Sequence, residues 1–128
     1  MTKFAVKTDN APAPFQGAPY SQGIVFGDLV FVAGQLGIDP ASGNVVEGGI
    51  AEQTERVMQN LQAILEEAGS GLDKVLKTSI FLVDLGDFAA MNEVYASHLT
   101  EPYPARATVQ IAALPSGARV EIEAIAHR

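Results

Sequence analysis

Lys74–Val83 reads Lys-Val-Leu-Lys-Thr-Ser-Ile-Phe-Leu-Val. It is rich in β-branched residues and predicts a strand. Apolar residues occupy both alternation classes: Val75, Phe81 and Val83 on one face, Leu76, Ile80 and Leu82 on the other. A strand that is apolar on both faces is covered on both faces. Helices can supply only part of that cover. Upstream, Ile50, Val57, Leu61, Ile64, Leu65 and Ala68 recur at helical spacing between Glu52, Glu55, Gln59, Gln62 and Glu66. This predicts an amphipathic helix of about 18 residues, with Gly69 as its C′ residue. Downstream, Phe88, Met91, Tyr95 and Leu99 mark a second helix, with Asp87 at its N-cap and Pro102 and Pro104 stopping it.

Strands flank this centre. Gly23–Phe26 and Leu29–Ala33 are separated by Gly27-Asp28, a pair suited to a type II′ hairpin. Asn10–Pro19 holds three prolines and predicts an extended loop from a first strand. Two strands end the chain. Ala105–Ala112 carries Ala105, Ala107, Val109 and Ile111 on an apolar packing face and Arg106, Thr108 and Gln110 on the other. Ala118–Ala126 sets Ala118, Val120, Ile122 and Ala124 against Arg119, Glu121 and Glu123. The order β(loop)ββ-α-β-α-ββ has too few helices to sandwich a sheet. It predicts an α+β fold with both helices on one face. A partner chain is the simplest cover for the other.

Composition fits a single domain over residues 1–128. Charged residues make up 18% and hydrophobic ones 48%, which points to surface hidden in an oligomer. Zero cysteines exclude a disulfide scaffold, a thiol nucleophile and Cys-ligated metal sites. The net charge of −7 repels phosphate backbones. The first ten residues hold no signal-peptide core, and the longest apolar run, Leu29–Ala33, is far short of a membrane span. The expected location is the cytoplasm, with no membrane or nucleic-acid partner. His98 and His127 lie in no metal-ligand spacing. They read as surface histidines, and no metal is expected. No dinucleotide or phosphate loop and no Gly-x-Ser-x-Gly elbow occurs.

Arg106 stands out. It is one of four arginines, it follows the proline-bounded segment Glu101–Pro104, and Ala105 and Ala107 leave space around it. Its fork suits a carboxylate ligand. A strand-end salt bridge to Glu121 or Glu123 is the plainer alternative, and from composition alone the favoured one.

The segment Pro104–Leu114 (PARATVQIAAL), with Val120-Glu121-Ile122 beyond it, resembles the signature of the Rid/YjgF family of reactive intermediate deaminases. Pro19–Gly23, Ala33–Gln35, and Asp84–Phe88 with Asn92 resemble it too, in order and nearly end to end. The resemblance implies a chorismate-mutase-like α+β fold and a homotrimer with a barrel core and interfacial pockets. It implies cofactor-free hydrolysis of enamine/imine intermediates, 2-aminoacrylate/2-iminopropanoate and 2-aminocrotonate/2-iminobutanoate, to 2-keto acids and ammonia. Arg106 would clamp the substrate carboxylate, and Glu121 would hold or activate the attacking water. Tyr20 and Asn92 would line the pocket, with backbone near Gly34 and Ala107 helping. Many members carry Ser where this chain has Ala33, so a hydroxyl is missing from the pocket. A non-catalytic trimeric sensor of 2-keto carboxylates, a ribonuclease or translation inhibitor, and a chaperone-like holder are the other readings. Tyr20 as a packing aromatic, Asn92 as a surface amide and Glu121 as a partner of Arg119 are the structural alternatives.

Overall fold

In a computed structural model describing residues 1–128, one sheet contains every strand. The strands are β1 (Phe4–Val6), β2 (Gly23–Phe26), β3 (Leu29–Leu36), β4 (Val75–Leu82), β5 (Ala105–Gln110) and β6 (Val120–His127). Their spatial order is β1-β2-β3-β6-β4-β5. Two helices, α1 (Ile50–Glu67) and α2 (Phe88–Ser97), form the second layer. Between β2 and β3, Gly27 takes a φ of +60° at the tight turn. β4 and β5 pair in parallel through the α2 crossover. β6 inserts antiparallel between β3 and β4.

α1 spans 18 residues. Its apolar stripe, Val57, Leu61, Ile64 and Leu65, is almost completely buried. Glu52 accepts a hydrogen bond from the Gly49 N–H at 3.2 Å. The helix ends in a Schellman arrangement: Ser70 N–H bonds Leu65 C=O, Gly69 N–H bonds Glu66 C=O, and Gly69 has a φ of +82°. The core lies between helices and sheet, where Val30, Val32, Ile80, Leu82, Val120, Ile122 and Ala126 meet α1, with Met91 and Tyr95 from α2.

Three expectations need correction. A bulge between Val75 and Lys77 breaks the alternation of β4. Val75 packs against the core and Leu76 turns outward, 47% exposed. The extra residue flips which face each side chain takes. Asp87 precedes α2 but caps nothing with its side chain; Asp84 accepts from the Gly86 N–H instead. Asp87 bonds Arg119 at 3.0 Å. Finally, the alanine/valine side of β5 is not a packing face in this chain, since Ala105, Ala107 and Val109 are all exposed. In the ladder Arg106 sits beside Thr78, whose side chain points into the helix layer, so Arg106 takes the helix side.

The sheet face away from the helices is bare. Phe31, Leu76 and Val109 lie exposed, and Phe81 is half-buried. No helix of the chain is long and apolar enough to cross a membrane.

Candidate active site

The site residues expected from the sequence fall into two groups on one chain. The first surrounds Glu121. In β3, Val32 pairs Ala124 and Gln35 pairs Ile122, so Ala33 and Gly34 together oppose Glu123. This bulge presents Gly34 to Glu121, which points to the bare face as the neighbour of buried Val120 and Ile122. A Cβ on Gly34 would lie 2.8 Å from the Glu121 Cδ. Ala33, Gly34, Tyr20 and Glu121 line one cavity of about 460 Å³, with Pro12, Phe15 and Pro115. The Tyr20 hydroxyl accepts a hydrogen bond from the Phe15 N–H at 2.6 Å, which sets its ring. The same ring also borders an adjoining cavity of about 540 Å³ under the N-terminal segment.

Glu121 is half-buried and has no cation beside it. Arg119 turns away to Asp87. Burial first, and repulsion from Glu123 second, push the Glu121 carboxyl above the usual carboxylate range. Such a group takes and returns a proton nearer neutrality than an ordinary carboxylate.

The second group surrounds Arg106. Its Nη1 donates to Asn92 Oδ1 at 2.7 Å. Its guanidinium carbon lies 5.3 Å from the Phe88 ring centre and 5.2 Å from that of Tyr95. The Tyr95 hydroxyl is 2.8 Å from Thr78 Oγ1. Neither Glu121 nor Glu123 bridges Arg106; the chain's one arginine–carboxylate pair is Arg119–Asp87, and His98 hydrogen-bonds Glu55. Ala107 follows on the opposite side of β5, exposed on the bare face. Arg106 and Glu121 therefore project from opposite faces of one sheet, and the fold does not bring them together within a chain.

Phe88 and Tyr95 were expected only as core residues of the second helix. Phe88 is 40% exposed beside Arg106. The spacing held the signal: Phe88, Asn92 and Tyr95 stand four and three residues apart, on one helix face. Gln22 was also missed as a builder of the site. Its amide accepts from Thr8 N–H and donates to the carbonyls of Thr8, Ala11 and Pro12. It thereby fixes the segment that forms the cavity wall. His98 bonds Glu55 at 2.8 Å and ties α2 to α1, so it is more than a surface histidine. No three His, Asp or Glu residues gather where they could hold a metal ion.

The fold is that of solved Rid proteins, and the chain belongs to the Rid/YjgF family. The family model described as Endoribonuclease L-PSP matches residues 8–128. A RutC family protein of Pyrococcus abyssi is 49% identical, over 100% of this chain and 99% of its own. The 2-iminobutanoate/2-iminopropanoate deaminase of Capra hircus is 45% identical, over 98% of this chain and 90% of that protein. The crystal structure of RidA from the Antarctic bacterium Psychrobacter sp. PAMC 21119 superposes with a TM-score of 0.93 at 47% identity. That match covers 98% of this chain and 99% of the other.

Proposed function

We propose that the protein hydrolyses small 2-imino carboxylates, 2-iminopropanoate and 2-iminobutanoate, to the 2-keto acid and ammonia. The observation that carries this reading is Arg106, a cation with no carboxylate partner in its own chain. The goat relative's name points to the same substrates. Arg106 pairs with the substrate carboxylate. The enamine tautomerises to the imine, whose C2 is already electrophilic. Glu121 takes a proton from water as its oxygen bonds C2, giving a carbinolamine. The protonated carboxyl returns that proton to nitrogen. Glu121 then takes the hydroxyl proton and passes it to the departing nitrogen, so that C=O forms and ammonia leaves. Water and imine are thus converted with no cofactor and no metal. Free imine hydrolyses unaided, so orientation and one base suffice.

Because Arg106 and Glu121 leave opposite faces, a complete pocket joins Arg106 and Asn92 at the β5 edge of one copy, with the backbone at Ala107, to the Tyr20, Ala33, Gly34 and Glu121 side of another. A homotrimer closed over the bare sheet faces supplies that arrangement and covers Phe31 and Val109. Sedimentation should give a trimer; a stable monomer at micromolar concentration overturns this assembly. The −7 charge disfavours a nucleic-acid substrate. A keto-acid sensor would bind the same anion without turnover.

The test couples the protein to a dehydratase that releases the imine in situ, with uncatalysed decay subtracted. Wild type should accelerate hydrolysis. Arg106→Ala should lower kcat/KM by roughly 10- to 150-fold, the worth of a charge-assisted pair. Arg106→Lys should recover part of that, since an ammonium lacks the planar fork. No acceleration by wild type, or full activity in both variants, overturns the reading.

A further inference from the structure

We propose that Tyr95 is a positioning residue for Arg106, holding its guanidinium against the ring of Phe88 while Asn92 takes one N–H donor. The inference rests on Arg106 being the carboxylate clamp.

An arginine at a strand edge has many rotamers and needs something to hold it. A carboxylate partner would do so by occupying the fork. Aromatic faces attract the charge without accepting directed hydrogen bonds from its edge. Arg106 has two such faces, at 5.3 and 5.2 Å, inside the roughly 6 Å over which the attraction acts. Only the Asn92 amide bonds it directly, at 2.7 Å. Of the five N–H donors of a guanidinium, about four stay open to a ligand. The side chain is thus ordered before the anion arrives, and binding loses less rotamer freedom.

The two rings have different parts. Phe88 is 40% exposed and can yield to an incoming ligand. Tyr95 is 5% exposed, and its hydroxyl is tied to Thr78. Thr78 is the residue that Arg106 pairs with across the β4–β5 ladder. Thr78, Tyr95 and Arg106 therefore close a small loop: ladder, hydroxyl contact, ring against cation. Through it the position of the guanidinium is referred to the backbone of β4. Burial raises the Tyr95 pKa, more than the Thr78 bond and the Arg106 charge lower it. The ring stays a neutral phenol, and no phenolate competes for the fork.

The experiment measures KM and kcat per folded assembly, with Tm on the same preparations. Tyr95→Leu should raise KM about tenfold, with kcat within about threefold. Tyr95→Phe keeps the ring and should hold KM within about twofold, while loss of the Thr78 bond lowers Tm. If Tyr95→Leu does not fold, pentafluorophenylalanine at position 95 is compared with Tyr95→Phe. That ring has the same shape and a reversed quadrupole, and KM should rise about fivefold or more. A purely structural role predicts lowered Tm with unchanged KM in all of these, and that result overturns the inference. Arg106→Ala separates the two readings. If it is fully active, the clamp itself is wrong. If it is impaired while position 95 leaves KM unmoved, only the positioning role falls.

Discussion

The Glu121 carboxyl lies against the Cα of Gly34, so close that a single added methyl would stand 2.8 Å from its Cδ and 3.0 Å from Oε2. Gly34 does not have a positive φ, so its backbone tolerates a side chain. The clash is with the movable end of Glu121. Gly34→Ala should therefore move the carboxyl and spare the fold. We expect kcat/KM to fall about 10- to 100-fold, as for a catalytic group displaced by an ångström. The Tm change should stay under about 4 °C, roughly 1 kcal/mol in a domain of this size. A large Tm loss with normal turnover would show that the glycine serves packing alone.

Glu121→Gln should act on rate and stability in opposite directions. Removing the base should lower kcat by about 100-fold or more. The folded carboxyl has a raised pKa, from burial and then from Glu123. The fold thus favours the protonated acid, and this contribution is fully present below the unfolded pKa, about 4.3. It is lost as pH rises through the higher folded value. The neutral amide escapes that loss. Glu121→Gln should melt above wild type at pH 7, and the gap should close below about pH 4. The wild-type acid limb of kcat/KM should lie above the ordinary carboxylate value. Equal melting curves at pH 7 would remove the electrostatic account of this residue.

Gln22→Leu should release the N-terminal segment. The amide holds Thr8 N–H at 2.8 Å and the Thr8, Ala11 and Pro12 carbonyls at 3.0, 3.2 and 2.8 Å. Leucine leaves these buried groups unpaired, at a cost of about 1–3 kcal/mol or more. Hydrogen exchange at Thr8 should accelerate well beyond that of α1. Unchanged exchange there would mean that the segment is held by other contacts.

How much of this could be read from the residues follows from what each signal encodes. Helix periodicity and the Gly69 terminus are local, so α1 was legible to its ends. The parallel β4–β5 pair was not, because pairing is set across a crossover. That pairing decided which side of β5 meets α2. Alternation on β5 separated Arg106 from Ala105, Ala107 and Val109 correctly. It could not say that the apolar side would be the bare one. The bulges at Leu76 and at Ala33-Gly34 leave no mark in alternation except its failure. Glu121, Tyr20, Ala33 and Gly34 came from motif resemblance, and they line one cavity; Arg106 stood out among the residues themselves, and the resemblance supplied its expected role. Phe88 and Tyr95 were visible only as apolar spacing, since an aromatic that supports a cation has the same pattern as one that fills a core.

In the assembly proposed above, the opposed projection of Arg106 and Glu121 makes each chain a giver of two unlike halves, and so makes damage shareable. A copy lacking Arg106 still offers an intact Glu121 half, and a copy lacking Glu121 still offers an intact Arg106 half. Unfolding and refolding Arg106→Ala with Glu121→Gln as an equal mixture should regain activity that neither has alone. Random assembly pairs two intact halves in roughly one site in four, the product of two even chances in a closed ring. Mixing without unfolding should regain nothing until subunits exchange. In a cell carrying both alleles, two defective genes would together yield a working enzyme; a refolded mixture as inactive as its parents would place both residues in one chain's own site.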